Sequence, residues 1–215
     1  MSKIEGKLVS NSLKVSNDER LIEAAMNEAE AFVGKLDLDS KKALHIRLLT
    51  EEILEMVKSM VKGYIADFWI EAENDECRIC LEAKADINIE KEKMLMSASS
   101  DGKNTLVKGF TAKIAQFINH HKEYISDMLN AGDEGFYYLP TDYLCVRQAS
   151  SFFAPTDITW SMMEYRNYLY DSAAPAEEVE EARDELEKSI VANIADDVKV
   201  GVMGDKISLV AIKKI

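Results

Sequence analysis

Cysteine, histidine and proline occur only three times each in the 215 residues, and glycine nine times. Three cysteines cannot make a full disulfide framework. Cys77 and Cys80 spell C-x-x-C, but they fall in an alternating segment that reads as a strand. Positions three apart on a strand point to opposite faces, which argues against a shared metal or redox site. His120 and His121 are adjacent, so on a helix they diverge by about a third of a turn and chelate poorly; His45 reads as a packed or capping residue. The chain contains no Gly-x-Ser-x-Gly elbow and no His-Glu-x-x-His pair. Gly102-Lys103 lacks the upstream glycine of a phosphate loop, with Asn104 where that loop needs Ser or Thr. Cations are scarce: 26 Lys and Arg against 39 Asp and Glu give a formal charge of −13. That balance argues against nucleic-acid backbones and anionic membranes, which need clustered cations, and favours a basic protein partner. No apolar run approaches the roughly 20 residues of a membrane span, and Met-Ser-Lys-Ile-Glu-Gly has no signal-peptide pattern, so a cytoplasmic protein is expected.

Hydrophobic residues make up 47% of the chain, ample for the core of one large domain. The most informative stretch is Glu51–Ser59. Ile46, Leu49, Ile53, Met56 and Met60 recur at three- and four-residue spacing, forming one apolar helical stripe. Glu51, Glu55, Ser59 and Lys62 form another, so two carboxylates stand one turn apart. That pairing suits a base beside a polarised phosphate. It also suits a solvated face on which Glu55 pairs with Lys58, and on these residues alone that is the first reading.

Before this helix, residues 3–15 read as one or two strands through Leu8, Val9, Leu13 and Val15. Ser16-Asn17-Asp18-Glu19 reads as a capping box, and the following helix runs to about Val33, with Gly34 as its left-handed terminator. Leu36–Ser40 supplies a second set of caps for the Glu51 helix, which extends to about Lys62. Ala66, Phe68, Ile70 and Ala72, then Cys77, Ile79, Leu81, Ala83 and Ala85, alternate on either side of Glu73-Asn74-Asp75-Glu76, predicting an antiparallel hairpin with one buried face. Residues 87–103 read as a mobile loop, and helical spacing returns through Phe110, Ile114, Phe117 and Ile118. About ten aromatics lie between Phe136 and Tyr170, so residues 122–174 read as an insertion or elaborated lid, or as ordinary buried packing. A long helix begins after Pro175 with an acidic first turn. Its apolar face is Val179, Ala182, Leu186, Ile190 and Ile194, and its acidic face, Glu177 to Glu187, reads first as a solubilising surface. A terminal hairpin follows: Val198, Val200 and Val202, a turn at Met203–Lys206, then Ile207, Leu209 and Ala211. The element order predicts a single α+β domain, a two-layer sandwich of a mixed, mostly antiparallel sheet with helices on one face.

With Leu48-Leu49-Thr50-Glu51 on its helix, followed by this hairpin, loop and helix, the chain resembles the GHKL (Bergerat-fold) ATPase superfamily, nearest its anti-sigma-factor serine kinase and histidine-kinase-like branch. The similarity covers about residues 1–120 and 180–215. It implies Glu51 as general base, Glu55 at the magnesium-ligand position, Asp86 at the adenine-binding aspartate, and Gly102, Lys103 and Asn104 as lid contacts to phosphate. The departures are equally specific. Glu55 replaces the family's asparagine, Ser59 stands where the branch often has histidine, and no glycine occurs between Gly63 and Gly102, where the family's Asp-x-Gly-x-Gly lets backbone approach the nucleotide. The resemblance therefore implies a regulatory, protein-binding module with a degenerate ATP site, more pseudoenzyme than enzyme. Its partner would be a sigma factor or another regulator, with homodimerisation an option. No bound cofactor is expected; ATP and magnesium apply only if the site functions. An active serine kinase or ATPase using Glu51 as base, with Glu55 as metal ligand, is one alternative. A small-molecule sensor using the former nucleotide cleft is the other.

Overall fold

A computed structural model of the chain describes residues 4–60, 64–84, 114, 158–171, 176–203 and 206–215. The elements run β1 (Ile4–Val9), β2 (Leu13–Val15), α1 (Glu19–Val33), α2 (Ser40–Met60), β3 (Ile65–Asn74), β4 (Glu76–Lys84), β5 (Ile158–Ser161), α3 (Met162–Asp171), α4 (Ala176–Lys188), α5 (Ile190–Ile194), β6 (Asp197–Met203) and β7 (Lys206–Lys214). The strands form one seven-stranded sheet in the order β1-β3-β4-β7-β6-β5, with β2 also on β3. The expected hairpins are thus neighbours in a single α+β sheet, joined where β4 pairs with β7. Every described pairing is antiparallel; the parallel component expected of a mixed sheet does not occur among the described residues.

Register explains how the alternation becomes a core. Phe68 lies opposite Leu81, Leu81 opposite Leu209, Leu209 opposite Val200, and Val200 opposite Trp160. This row crosses five strands on one face, and the four members from Phe68 to Val200 are buried. The next register row, Trp69, Cys80, Val210, Lys199 and Ser161, is on the other face, because successive strand residues alternate. The first face packs with Ala25, Ala29 and Phe32 of α1, Ile46, Leu49, Ile53 and Leu54 of α2, and Val191 and Ala192 of α5 in one continuous core. Burying each such large apolar side chain stabilises the fold by roughly 1.5–3 kcal/mol. The opposite face holds a smaller cluster of Cys80 and Val210 with Trp69 and Ile212. Around it lie the ion pairs Lys7–Glu71, Lys14–Asp67 and Lys206–Glu82.

Three local expectations need correction. The first helix is capped by Asp18, whose carboxylate accepts from the Arg20 amide, and not by the Ser16–Glu19 box; Ser16 Oγ instead accepts from the Asp18 amide. An Asp cap puts a negative charge on the helix N-terminus, which a Ser cap does not. Gly34 ends α1 in ordinary right-handed backbone (φ −60°), and the chain then tightens through i+3 bonds from Lys35 to Phe32 and from Leu36 to Val33. The left-handed residue is Asp37 (φ 48°), a type that tolerates positive φ because its short side chain bonds locally. The single long helix after Pro175 is two helices. Ser189 adopts extended backbone and its hydroxyl accepts from the Ala192 amide, starting α5 afresh; Ile190, placed on the buried stripe by periodicity, is therefore exposed.

Of the aromatic-rich stretch, residues 158–171 belong to the main sheet and core. β5 forms its edge, Met162 and Leu169 are buried, and Trp160 packs beside Tyr165 with ring centroids 5.9 Å apart. The expected loop over 87–103 and the helix around Phe110–Ile118 lie outside the described residues except for Ile114, which is helical and buried in the core.

Candidate functional site

The carboxylate helix is held by a wide inward arc. Asp39 starts α2 by accepting from the Lys42 amide at 2.9 Å, and Ile46, Leu49, Thr50, Ile53, Leu54, Met56 and Val57 are all buried. This is broader than the expected stripe because the helix packs against α1 and α5 as well as β4 and β7. Thr50 is accommodated because its hydroxyl donates to the Ile46 carbonyl one turn back, at 2.8 Å. With that arc buried, Glu51 and Glu55 are left on the outward side, and both are exposed.

Glu55 Oε1 meets Lys58 Nζ at 3.0 Å across one helical turn. This is the ion pair expected of a solvated face, and with both groups substantially exposed it contributes little stability. Glu55 also reaches inward electrostatically. Tyr64, at the start of the hairpin, is buried, and its phenol is held above its usual pKa first by that burial and then by the Glu55 charge. The Tyr64 hydroxyl points at the Ser16 carbonyl at a long 3.5 Å, so α2, the β2–α1 connection and the hairpin meet there.

Two carboxylates one turn apart are a donor set compatible with magnesium, which takes one or two carboxylates and fills its remaining positions with water and phosphate oxygens. Lys58 competes for the same Glu55 oxygens. Asp86, Gly102, Lys103 and Asn104 lie outside the described residues; among the described residues the candidate site consists of Glu51 and Glu55, one turn apart on α2.

A second polar centre emerges from tertiary structure. Asp197, at the start of β6, is almost fully buried; it accepts from Ser161 Oγ at 3.0 Å, from the Met163 amide at 3.0 Å and from its own neighbour Val198 at 2.8 Å. Ser161 in turn accepts from the Glu164 amide. The pair caps the N-terminus of α3, where exposed amides and the helix dipole favour a carboxylate. Its local half is spelled in Ser161-Met162-Met163-Glu164, a Ser-x-x-Glu signature; nothing local marks Asp197. At the other end of α3, Arg183 donates to the Leu169 carbonyl at 2.7 Å and stacks over Tyr170, while Arg166 donates to the Ala192 carbonyl of α5.

Cys77 faces the main core and Cys80 the small outer cluster, so the C-x-x-C is split across the sheet. Burial pushes the Cys77 thiol up to about 12 and raises Cys80 as well. Among the described residues no helix is long and apolar enough to cross a membrane. No family model and no curated protein matches this chain.

Proposed function

We propose that this chain is a protein-binding regulatory module on a GHKL-like fold, with a degenerate nucleotide site and an anti-sigma-factor-like role in the cytoplasm. The observation that carries the reading is the union of the two hairpins in one sheet with the Glu51 helix packed on its core face, as the element order of the resembled family calls for. The degeneracy rests on the residues themselves. The segment from Tyr64 to Asp101 has no glycine, so side chains occupy positions where backbone would have to approach adenine. The Glu55–Lys58 ion pair must also break before Glu55 can take a metal. A partner of opposite charge suits a chain of formal charge −13, since complementary fields speed encounter and reject wrong partners.

The test is a titration of the purified chain with ATP, with and without magnesium, followed by turnover measurements on wild type and Glu51→Ala at saturating ATP and magnesium. Weak or absent binding and no turnover are expected. A robust rate abolished by Glu51→Ala would identify Glu51 as a working base and overturn the reading in favour of an active ATPase or serine kinase.

A further inference from the structure

Of the large apolar side chains left exposed among the described residues, three sit on the ten-residue helix α3: Met163, Tyr168 and Tyr170, the two tyrosines at 58% and 67% exposure. Their positions are not equivalent. Met163 and Tyr170 are seven residues apart, two helical turns, and so share one flank, whereas Tyr168 is turned to the other. The Tyr170 flank adjoins α4, because the Arg183 guanidinium lies 4.8 Å from the Tyr170 ring centroid. On α4, Glu180 and Glu187 stand three before and four after Arg183, on the same stripe, with Asp184 beside it; all three acids are exposed. The stripe through Val179 and Leu186 faces the core. Within Ala176–Lys188 seven acids stand against Arg183 and Lys188, and Arg183 is already committed to Tyr170 and the Leu169 carbonyl.

We propose that this joint surface, Met163 and Tyr170 flanked by Glu180, Asp184 and Glu187, docks a basic amphipathic segment of a protein partner. The proposal rests on the protein-binding reading above and names where and what that module binds. Charge complementarity selects the occupant. Nucleic acid and anionic membrane carry the wrong sign, and a second copy of the chain would set the same acids against one another. The exposed methionine and tyrosine supply what charge alone does not. Tyrosine is over-represented among residues that dominate binding, and an apolar centre beside an acidic rim matches a helix carrying Leu on one face and Lys or Arg on the other.

The test uses the full chain and a fluorescent Lys/Leu amphipathic helical peptide, with a Lys/Ser peptide of equal charge as control, followed by anisotropy at two salt concentrations. The Lys/Leu peptide is expected to bind more tightly than the Lys/Ser peptide. Tyr170→Ser should weaken it about tenfold, while Tyr170→Phe and Tyr168→Ser leave it unchanged. Glu180→Gln/Asp184→Asn/Glu187→Gln should weaken binding and flatten its salt dependence. Equal binding of both peptides, no binding of either, or equal losses from Tyr168→Ser and Tyr170→Ser overturns the proposal. The nucleotide titration has a separate readout, so an active ATP site would overturn the degenerate-site reading without touching this one.

Discussion

At the scale of single residues, strand alternation decides the chemistry of the two described cysteines. One faces the main core and the other the outer cluster, each is almost completely buried, and burial raises both thiol pKa values because it penalises the thiolate. With the third cysteine of the sequence, Cys145, replaced by serine (Cys145→Ser), both thiols should react with a disulfide reagent only as the protein unfolds, roughly a thousandfold more slowly in buffer than in denaturant. Rapid modification of either thiol in the native protein would contradict the register that places it. The same alternation made the split of Cys77 and Cys80 readable from spacing alone. Spacing also favoured a solvated Glu51 and Glu55 and paired Glu55 with Lys58, as found. The width of the buried arc was not readable, since amphipathic periodicity separates stripes without measuring them, and packing against α1 and α5 set that width.

At the scale of elements, the caps show where local signals suffice and where they fail. Ser189 and Asp39 act within their own segments, and residues of these types favour caps for a reason present in the sequence: their side chains compete for nearby amides. α3 differs, since Asp197 arrives from a strand 36 residues after Ser161. Removing that carboxylate withdraws a cap and leaves the buried Ser161 hydroxyl and the part-buried Met163 amide without their acceptor. Asp197→Ala is therefore expected to cost about 2–4 kcal/mol of stability and Ser161→Ala about 1–2. Chemical denaturation of the single and double variants checks this, and the double should cost less than the sum because the two side chains form one unit. Additive losses would show that Asp197 acts independently of the hydroxyl.

For the whole molecule, acidity and carboxylate placement act in opposite directions. Net charge of −13 repels itself near neutrality, and lowering the pH relieves that repulsion as carboxylates begin to protonate. Particular carboxylates resist. Glu28 is held below the usual range by the Asn11 amide and then by its side chain. At Asp196 burial pushes the pKa up, but the Lys214 amide and the Lys213 ammonium outweigh it and leave it lowered. A carboxyl whose folded pKa is depressed contributes stability that is full above its unfolded pKa, about 4, and is lost as pH falls through the folded value. Melting temperature should therefore hold or rise modestly from pH 7 toward 5 and drop below about 4. Glu28→Gln should blunt the drop, and an unchanged acid limb in that variant would remove Glu28 from the account.

Much of this architecture was already present in the amino-acid order. Composition determined that a core could form, and period-two and period-3.6 patterning determined the hairpins, the α1 boundary at Val33 and the inward stripe of α2, because burial of a strand or helix face is a local property of spacing. Only the tertiary structure decided that β4 pairs with β7, that Asp197 caps a helix far from it in sequence, and that Tyr170 lies against Arg183. These are contacts between segments distant along the chain, fixed by which faces pack together, and no periodicity within one segment contains that information.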